Sequence, residues 1–154
     1  MLRADHVVFP VWRPQASLDF YTQVLELSLV GALDGDDWGG KPWLMMVFAL
    51  ADGRELVLVA LSGLGPPAPD GLPADTRHYA FSVEGAAELG ALRERLAAAH
   101  VDFWEEDHGE QRSVYFPDPN GVIIEITTPP STPAQTHDPA AAERARAWIA
   151  AQVS

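Results

Sequence analysis

Two stretches of the sequence share one pattern, RHYAFSV (residues 77–83) and DHVVFPV (residues 5–11), and together they decide the fold. Each begins with a charged residue and a histidine and continues as a mostly apolar run of strand-forming residues. Each is then followed by a helical pattern and by three more strand patterns. The sequence therefore predicts two tandem βαβββ modules, which together form an α+β fold in a single domain.

The first module is predicted over residues 4–62. Its helix, ASLDFYTQVLEL, begins near Ser17, which we expect to act as the N-cap. Its last two strands are joined by Asp52-Gly53, a strong hairpin signal. The predicted elements are a strand over 5–11, a helix over 16–27 and strands over 28–33, 43–50 and 55–61.

The second module is predicted over residues 77–128, after a linker over 63–76 that is rich in proline and glycine. A tail over residues 129–154 follows it and ends in a helix, whose Trp148 and Ile149 we expect to dock onto the body or a partner. The predicted elements are a strand over 77–83, a helix over 85–100, strands over 101–106, 113–118 and 122–127, and a terminal helix over 140–153.

The spacing of equivalent residues supports an internal repeat. His6 and His78 lie 72 positions apart, and the turn glycines Gly53 and Gly121 lie 68 positions apart. The two offsets agree within the few residues by which predicted element boundaries vary. We therefore expect the two modules to pair into a cupped mixed sheet, with a C-terminal helix added.

Composition excludes several classes of function. The chain of 154 residues has a net charge of −12, one lysine (Lys41) and no cysteine. Such an acidic surface repels the phosphate backbone, so no nucleic-acid partner is expected. The absence of cysteine excludes disulfides, thiolate metal sites and thiol nucleophiles. We find no apolar run long enough to cross a membrane and no export signal, so a cytoplasmic protein without membrane contact is expected.

Three residues indicate a metal site. Glu125 lies in the middle of the apolar strand VIIEIT, where an unpaired carboxylate would be costly to bury. His6 and His78 stand at equivalent positions of the two repeats. If the modules pair about a pseudo-twofold axis, the three side chains converge on one concave sheet face, although each alone is more typical of a surface residue. Two imidazoles and one carboxylate suit a divalent ion of Fe, Mn, Zn, Ni or Co.

These stretches resemble the vicinal oxygen chelate superfamily, which includes glyoxalase I, extradiol dioxygenases, fosfomycin-resistance thiol transferases and bleomycin-resistance proteins. The resemblance covers residues 4–128 and is most specific in SVYFPDPNGVIIEIT, with its aromatic strand, its Asp-Pro-x-Gly turn and the glutamate that follows. It implies a metal-dependent enzyme with a small-molecule substrate, with His6, His78 and Glu125 as the ligands. It also implies a homodimer, without deciding whether modules pair within a chain or between chains.

Further site residues follow from the same resemblance. Tyr115 matches the tyrosine that family members place against the substrate, and a tyrosine packed in the sheet is the alternative. His108, in the polar loop EEDHGEQRS, is a candidate general base, and an ordinary surface histidine is the alternative. The fourth ligand of glyoxalase I would fall near Val57, which cannot ligate, while Glu55 lies two residues away on the same strand face. Other candidate pocket residues are Trp43, Met45, Phe48, Trp104, Gln111 and Arg112.

The resemblance leaves the reaction open. The missing fourth ligand disfavours glyoxalase I, and the acidic segment WEEDHGEQRS disfavours an anionic phosphonate substrate. A His-His-Glu set with a nearby tyrosine fits the extradiol dioxygenases best, so dioxygenase-type cleavage is slightly favoured. The alternatives are a thiol transferase or lyase of the same superfamily, and a metal-free protein that sequesters a cationic or aromatic compound.

Overall fold

The computed structural model describes residues 3–132 and 138–152. In the first module a strand and a short helix precede three further strands, and a π-helical turn over Phe20–Val24 extends the helix. The elements are β1 (His6–Val11), α1 (Pro14–Asp19), β2 (Ser28–Gly35), β3 (Trp43–Ala49) and β4 (Glu55–Leu61).

The second module repeats this order of elements. A single 3₁₀ turn over Ala74–Thr76 leads into it from the linker. Its elements are β5 (His78–Ser82), α2 (Ala86–Ala98), β6 (Trp104–Asp107), β7 (Arg112–Pro117) and β8 (Ile123–Thr128), and the C-terminal helix α3 (Pro139–Gln152) follows. The predicted α+β fold of two βαβββ modules with a terminal helix is confirmed.

Both modules have the same sheet topology. The strand orders are β1-β4-β3-β2 and β5-β8-β7-β6, and in each sheet the first and last strands of the module run parallel. The hairpin glycines Gly53 and Gly121 adopt nearly the same left-handed conformation, with φ of 82° and 81°, which residues with a β-carbon rarely adopt. Within the described ranges, the two sheets are not hydrogen-bonded to each other.

One hydrophobic core lies between the inner faces of the two sheets and their helices. Strand alternation turns Phe9, Phe48 and Leu58 of the first sheet toward it, together with Phe116 and Ile124 of the second. Helix α2 contributes the three leucines that its spacing places on one face, Leu89, Leu92 and Leu96. Because the inner faces meet here, the outer faces of both sheets point away from the core.

A buried polar network around Asn120 joins the two modules. The Asn120 side-chain oxygen accepts hydrogen bonds from the backbone N–H groups of Trp12 (2.9 Å) and Arg13 (3.1 Å). Its amide nitrogen donates to the Ser17 hydroxyl at 2.8 Å. Nearby, the Tyr21 hydroxyl donates to Asp118 at 3.1 Å. The DPNG turn therefore does more than reverse the chain, because it ties the start of α1 to the second sheet.

Two sequence-based expectations are wrong in detail. Ser17 is not an N-cap: it lies buried inside α1, and its hydroxyl donates to the Arg13 carbonyl at 2.8 Å. Phe48 is not a pocket residue, because β3 alternation turns it into the core against Tyr21, with ring centroids 5.7 Å apart. The tail predicted over 129–154, including the end of its helix predicted over 140–153, lies partly outside the described residues.

The C-terminal helix leaves its large apolar side chains open. Trp148 and Ile149 are 67% and 57% exposed, so they do not dock onto the body of this chain, and docking onto a partner stays a prediction. None of the helices in residues 3–132 and 138–152 is both long enough and apolar enough to span a membrane.

Candidate metal and substrate site

The outer face of the second sheet carries most of the predicted site. Because side chains alternate along a strand, every second residue of β5, β6, β7 and β8 shares this face. The strand register aligns two rows across β5, β8, β7 and β6, namely Ala80, Glu125, Tyr115 and Trp104 in the first row and Ser82, Thr127, Ser113 and Glu106 in the second. His78 begins β5 on the same face.

His78 and Glu125 face each other as two acceptors. The His78 Nδ1 atom lies 2.8 Å from the Asp75 carbonyl, which can only accept, so Nδ1 carries the proton. In the neutral ring, Nε2 then presents its lone pair to the Glu125 carboxylate, whose Oε2 is 3.1 Å away. Two facing acceptors require a cation between them or a proton on the ring. A backbone carbonyl on the far nitrogen is also the usual second contact of a metal-binding histidine.

The Glu125 carboxylate is buried and held from behind. Glu125 is only 8% exposed, and its Oε1 accepts a 2.6 Å hydrogen bond from the hydroxyl of Ser113, which is itself 1% exposed. Burying a carboxylate is costly unless it is paired and hydrogen-bonded. Ser113 satisfies one oxygen and leaves the other turned toward His78.

Tyr115 lies beside this pair as a hydrogen-bond donor. Burial and the negative charges of the nearby Glu125 and Glu106 raise the pKa of Tyr115 to about 12. The phenol therefore keeps its proton at neutral pH. His108 Nε2 lies 3.2 Å from the Tyr115 oxygen, and the Trp104 ring stacks on the Tyr115 ring with centroids 5.2 Å apart.

His6 lies apart from these residues, on the first sheet. Its Nδ1 atom contacts the Asp5 carboxylate at 2.7 Å, which leaves Nε2 free to bind another group, and its side chain is half-exposed. It lines a cavity of about 1010 Å³ between the modules, whose lining does not include His78 or Glu125. Across residues 3–132 and 138–152, no three His, Asp or Glu side chains lie close enough to hold one metal ion.

The structure thus brings together four of the five predicted site residues: His78, Glu125, Tyr115 and His108. The sequence reading missed Ser113 and Glu106. Ser113 lies two residues before Tyr115 in β7, and Glu106 lies two residues after Trp104 in β6. Because side chains alternate along a strand, each shares the face of its neighbour, and this spacing could have revealed both. Glu55 lies beside His6 on the neighbouring strand β4. Of the other pocket candidates, Gln111 donates a hydrogen bond to the Pro129 carbonyl and Arg112 lies near Asp107.

Comparison with known proteins agrees with this fold. The Glyoxalase/Bleomycin resistance protein/Dioxygenase superfamily matches residues 3–126. Glutathione transferase FosA of Serratia marcescens is 27% identical over 122 residues, which are 79% of this chain and 77% of FosA.

Two solved structures share the fold. A glyoxylase/bleomycin resistance protein/dioxygenase domain from Frankia sp. EAN1pec superposes with a TM-score of 0.68 at 26% identity, covering 82% of this chain and 97% of that domain. The genomically encoded fosfomycin resistance protein FosX from Listeria monocytogenes, complexed with Mn(II) and a sulfate ion, gives a TM-score of 0.63 at 17% identity, covering 84% of this chain and 94% of FosX.

The chain belongs to the Glyoxalase/Bleomycin resistance protein/Dioxygenase superfamily, because the family match spans both modules. The curated relative, glutathione transferase FosA, is an enzyme, and a lactoylglutathione lyase from Agrobacterium tumefaciens shares the fold, with a TM-score of 0.58 at 20% identity. The family membership expected from the sequence is therefore confirmed.

Proposed function

We propose that this chain is a metal-dependent enzyme that binds a small substrate through two adjacent oxygen atoms. The observation that carries the proposal is the pair of facing acceptors, His78 Nε2 and Glu125 Oε2. The Asp75 carbonyl holds the other nitrogen of His78, and the Ser113 hydroxyl holds the other oxygen of Glu125. Nitrogen and carboxylate ligands suit a divalent ion of Fe, Mn, Zn, Ni or Co.

We propose His6 as the third ligand, supplied by a second copy of the chain in a homodimer. Its ring resembles that of His78 in having one nitrogen held by an oxygen and the other free. Within one chain His6 lies on the other sheet from His78 and Glu125. In residues 3–132 and 138–152, however, β1 and β5 are the edge strands of their sheets and each has one open edge. Val8 and Leu33, on the face that carries His6, are 44% and 56% exposed. A second copy would bury this apolar surface.

The protein side chains have defined tasks at such a site. A bound divalent ion would polarise substrate oxygens as a Lewis acid. Tyr115 is placed to donate its proton in a hydrogen bond to a substrate oxygen, since its raised pKa of about 12 keeps it neutral. His108, 3.2 Å from the phenol, is placed to exchange a proton with it or with the substrate.

We favour dioxygenase-type cleavage of a planar diol as the reaction. The flat wall formed by Trp104 and Tyr115, whose ring planes differ by 12°, suits a planar ring beside the metal ligands. Thiol transfer to a small electrophile is the second candidate, and the 27% identity to glutathione transferase FosA favours it. A lyase reaction of the same superfamily is a further alternative. A cytoplasmic location remains a prediction.

Metal analysis followed by a substrate screen tests this function. We expect protein purified without chelator to hold a transition metal and the His78→Ala variant to lose it. Metal-loaded protein should turn over a catechol or an α-keto-aldehyde with Fe(II), Mn(II) or Ni(II), and Tyr115→Phe should slow turnover about 100-fold because a proton donor is lost. Metal content below about a tenth of an equivalent, with compounds still bound in EDTA, would show a sequestering protein instead.

A further inference from the structure

A ring of contacts encloses the Tyr115 phenol on the side away from Glu125. The Trp104 indole stacks on Tyr115, and its Nε1–H donates to Glu106 Oε1 at 3.2 Å. Glu106 Oε2 lies 3.8 Å from His108 Nε2, which in turn contacts the Tyr115 oxygen at 3.2 Å. Glu106 is therefore fixed at the border of the proposed site by two residues that both contact the phenol.

The strand register places Glu106 within reach of a bound molecule. Glu106 is level with Ser113, and Ser113 contacts Glu125, so only one strand separates Glu106 from the strand that holds the metal ligand. Strands lie about 4.8 Å apart, so a group near Glu106 is on the order of 10 Å from Glu125. A planar molecule whose adjacent oxygens bind beside His78 and Glu125 is long enough to cover Tyr115 and Trp104 and to reach Glu106.

Among the described residues no arginine pairs with Glu106, whose ionisable neighbour is His108. Arg112 directs its Nε toward Asp107 at 3.6 Å, and Arg93 binds Glu105 at 3.0 Å on the opposite face of β6. The Glu106 side chain is 46% exposed, so it can meet a ligand without losing its contact to Trp104. An anionic group placed beside it would be repelled, and a cationic group would be attracted.

We propose that Glu106 is a specificity-determining residue, which selects substrates whose end remote from the chelating oxygens is positively charged and disfavours those with an anionic end. This inference rests on the proposed function, because it assumes that adjacent oxygens bind at the metal ligands. It names the substrate class as a cationic, planar diol or its close analogue.

Three catechols that differ only in the charge of the side chain test the proposal. Dopamine is cationic, 4-methylcatechol is neutral and 3,4-dihydroxyphenylacetate is anionic. Their binding to Mn(II)-loaded protein is measured by titration calorimetry without oxygen, at about 0.15 M salt, where surface charges act over roughly 8 Å. We expect the affinity to fall from dopamine through 4-methylcatechol to dihydroxyphenylacetate. Glu106→Gln should reduce the ratio of dopamine affinity to dihydroxyphenylacetate affinity about fivefold, because the variant removes one partly exposed charge.

Glu105→Gln is the matched control. It removes the same charge from the adjacent residue, but Glu105 points to the other face of β6, toward Arg93. This variant should keep the wild-type ratio, which separates a local contact from the attraction of an acidic protein for any cation. The same ratio in Glu106→Gln and wild type, or an equal fall in both variants, overturns the proposal while leaving the metal site intact. If none of the three catechols binds, the planar diol favoured under the proposed function is the wrong substrate, and this proposal fails with it.

Discussion

At the scale of single residues, Glu125 and its neighbours show which parts of the site the sequence could reveal. A glutamate inside VIIEIT is conspicuous because its burial needs compensation, and the structure confirms that it is buried at 8% exposure. Ser113, which binds it, is an ordinary residue in a strand and gave no such signal. Its role depends on the β7–β8 register, which sets Ser113 beside Thr127, two residues along β8 from Glu125 and on the same face.

Removing the Ser113 hydroxyl should weaken metal binding. Ser113→Ala leaves Glu125 Oε1 without its 2.6 Å hydrogen bond, so the carboxylate is less well oriented toward His78. Loss of such a supporting contact typically lowers metal affinity about 10- to 100-fold, and we expect a change in that range for Mn(II), measured by equilibrium dialysis. Thr127→Ala, the neighbour in the same row, should bind as wild type does. Equal affinity in Ser113→Ala and wild type would show that the hydroxyl has no such role.

At the scale of elements, the periodicity of the sequence was sufficient for strands but not for the first helix. Strands β3 and β4 match their predicted ranges to within one residue because apolar runs bounded by turn residues are unambiguous. The segment 16–27 instead forms a short α-helix followed by the π-helical turn at Phe20–Val24. That turn buries Tyr21 against Asp118 of the second module, a contact 97 residues away in the chain that no local pattern encodes.

The contact between Tyr21 and Asp118 predicts a pH dependence of stability. Burial, the charge of Asp118 and the hydrogen bond to it hold the pKa of Tyr21 far above its ordinary value. Above about pH 10 the unfolded chain loses this proton while the folded chain keeps it, so the free energy of unfolding falls as the pH rises. Tyr21→Phe removes both the hydrogen bond and this titration.

We therefore expect Tyr21→Phe to lower the free energy of unfolding by about 1–2 kcal/mol at pH 7. The difference from wild type should shrink between about pH 10 and 11, at up to about 1.4 kcal/mol per pH unit. Urea unfolding at about pH 7, 9 and 10.5, on both sides of the ordinary tyrosine pKa, measures this. Tyr79→Phe, which keeps the ring packed on Phe9, is the control. A difference that stays constant at all three pH values would contradict the role given to Tyr21.

At the scale of the whole molecule, the sequence predicted two equivalent modules but could not show which faces meet. Each sheet has an inner and an outer face, and both modules carry enough apolar side chains to allow more than one packing. The structure joins the inner faces around one core, so His6 and the pair of His78 and Glu125 end up on separate outer faces. The proposed site is therefore complete only if two chains combine.

Mixed dimers test this central claim most directly. His6→Ala and Glu125→Ala chains, carrying different tags, are refolded together, and the heterodimer is isolated with both tags. If His6 of one chain joins His78 and Glu125 of the other, the heterodimer retains one intact site and one doubly mutated site. Equilibrium dialysis against Mn(II) should then give about one tightly bound ion per heterodimer and about two per wild-type dimer, with neither variant alone binding tightly. A heterodimer that binds Mn(II) as weakly as its two parents would contradict the account.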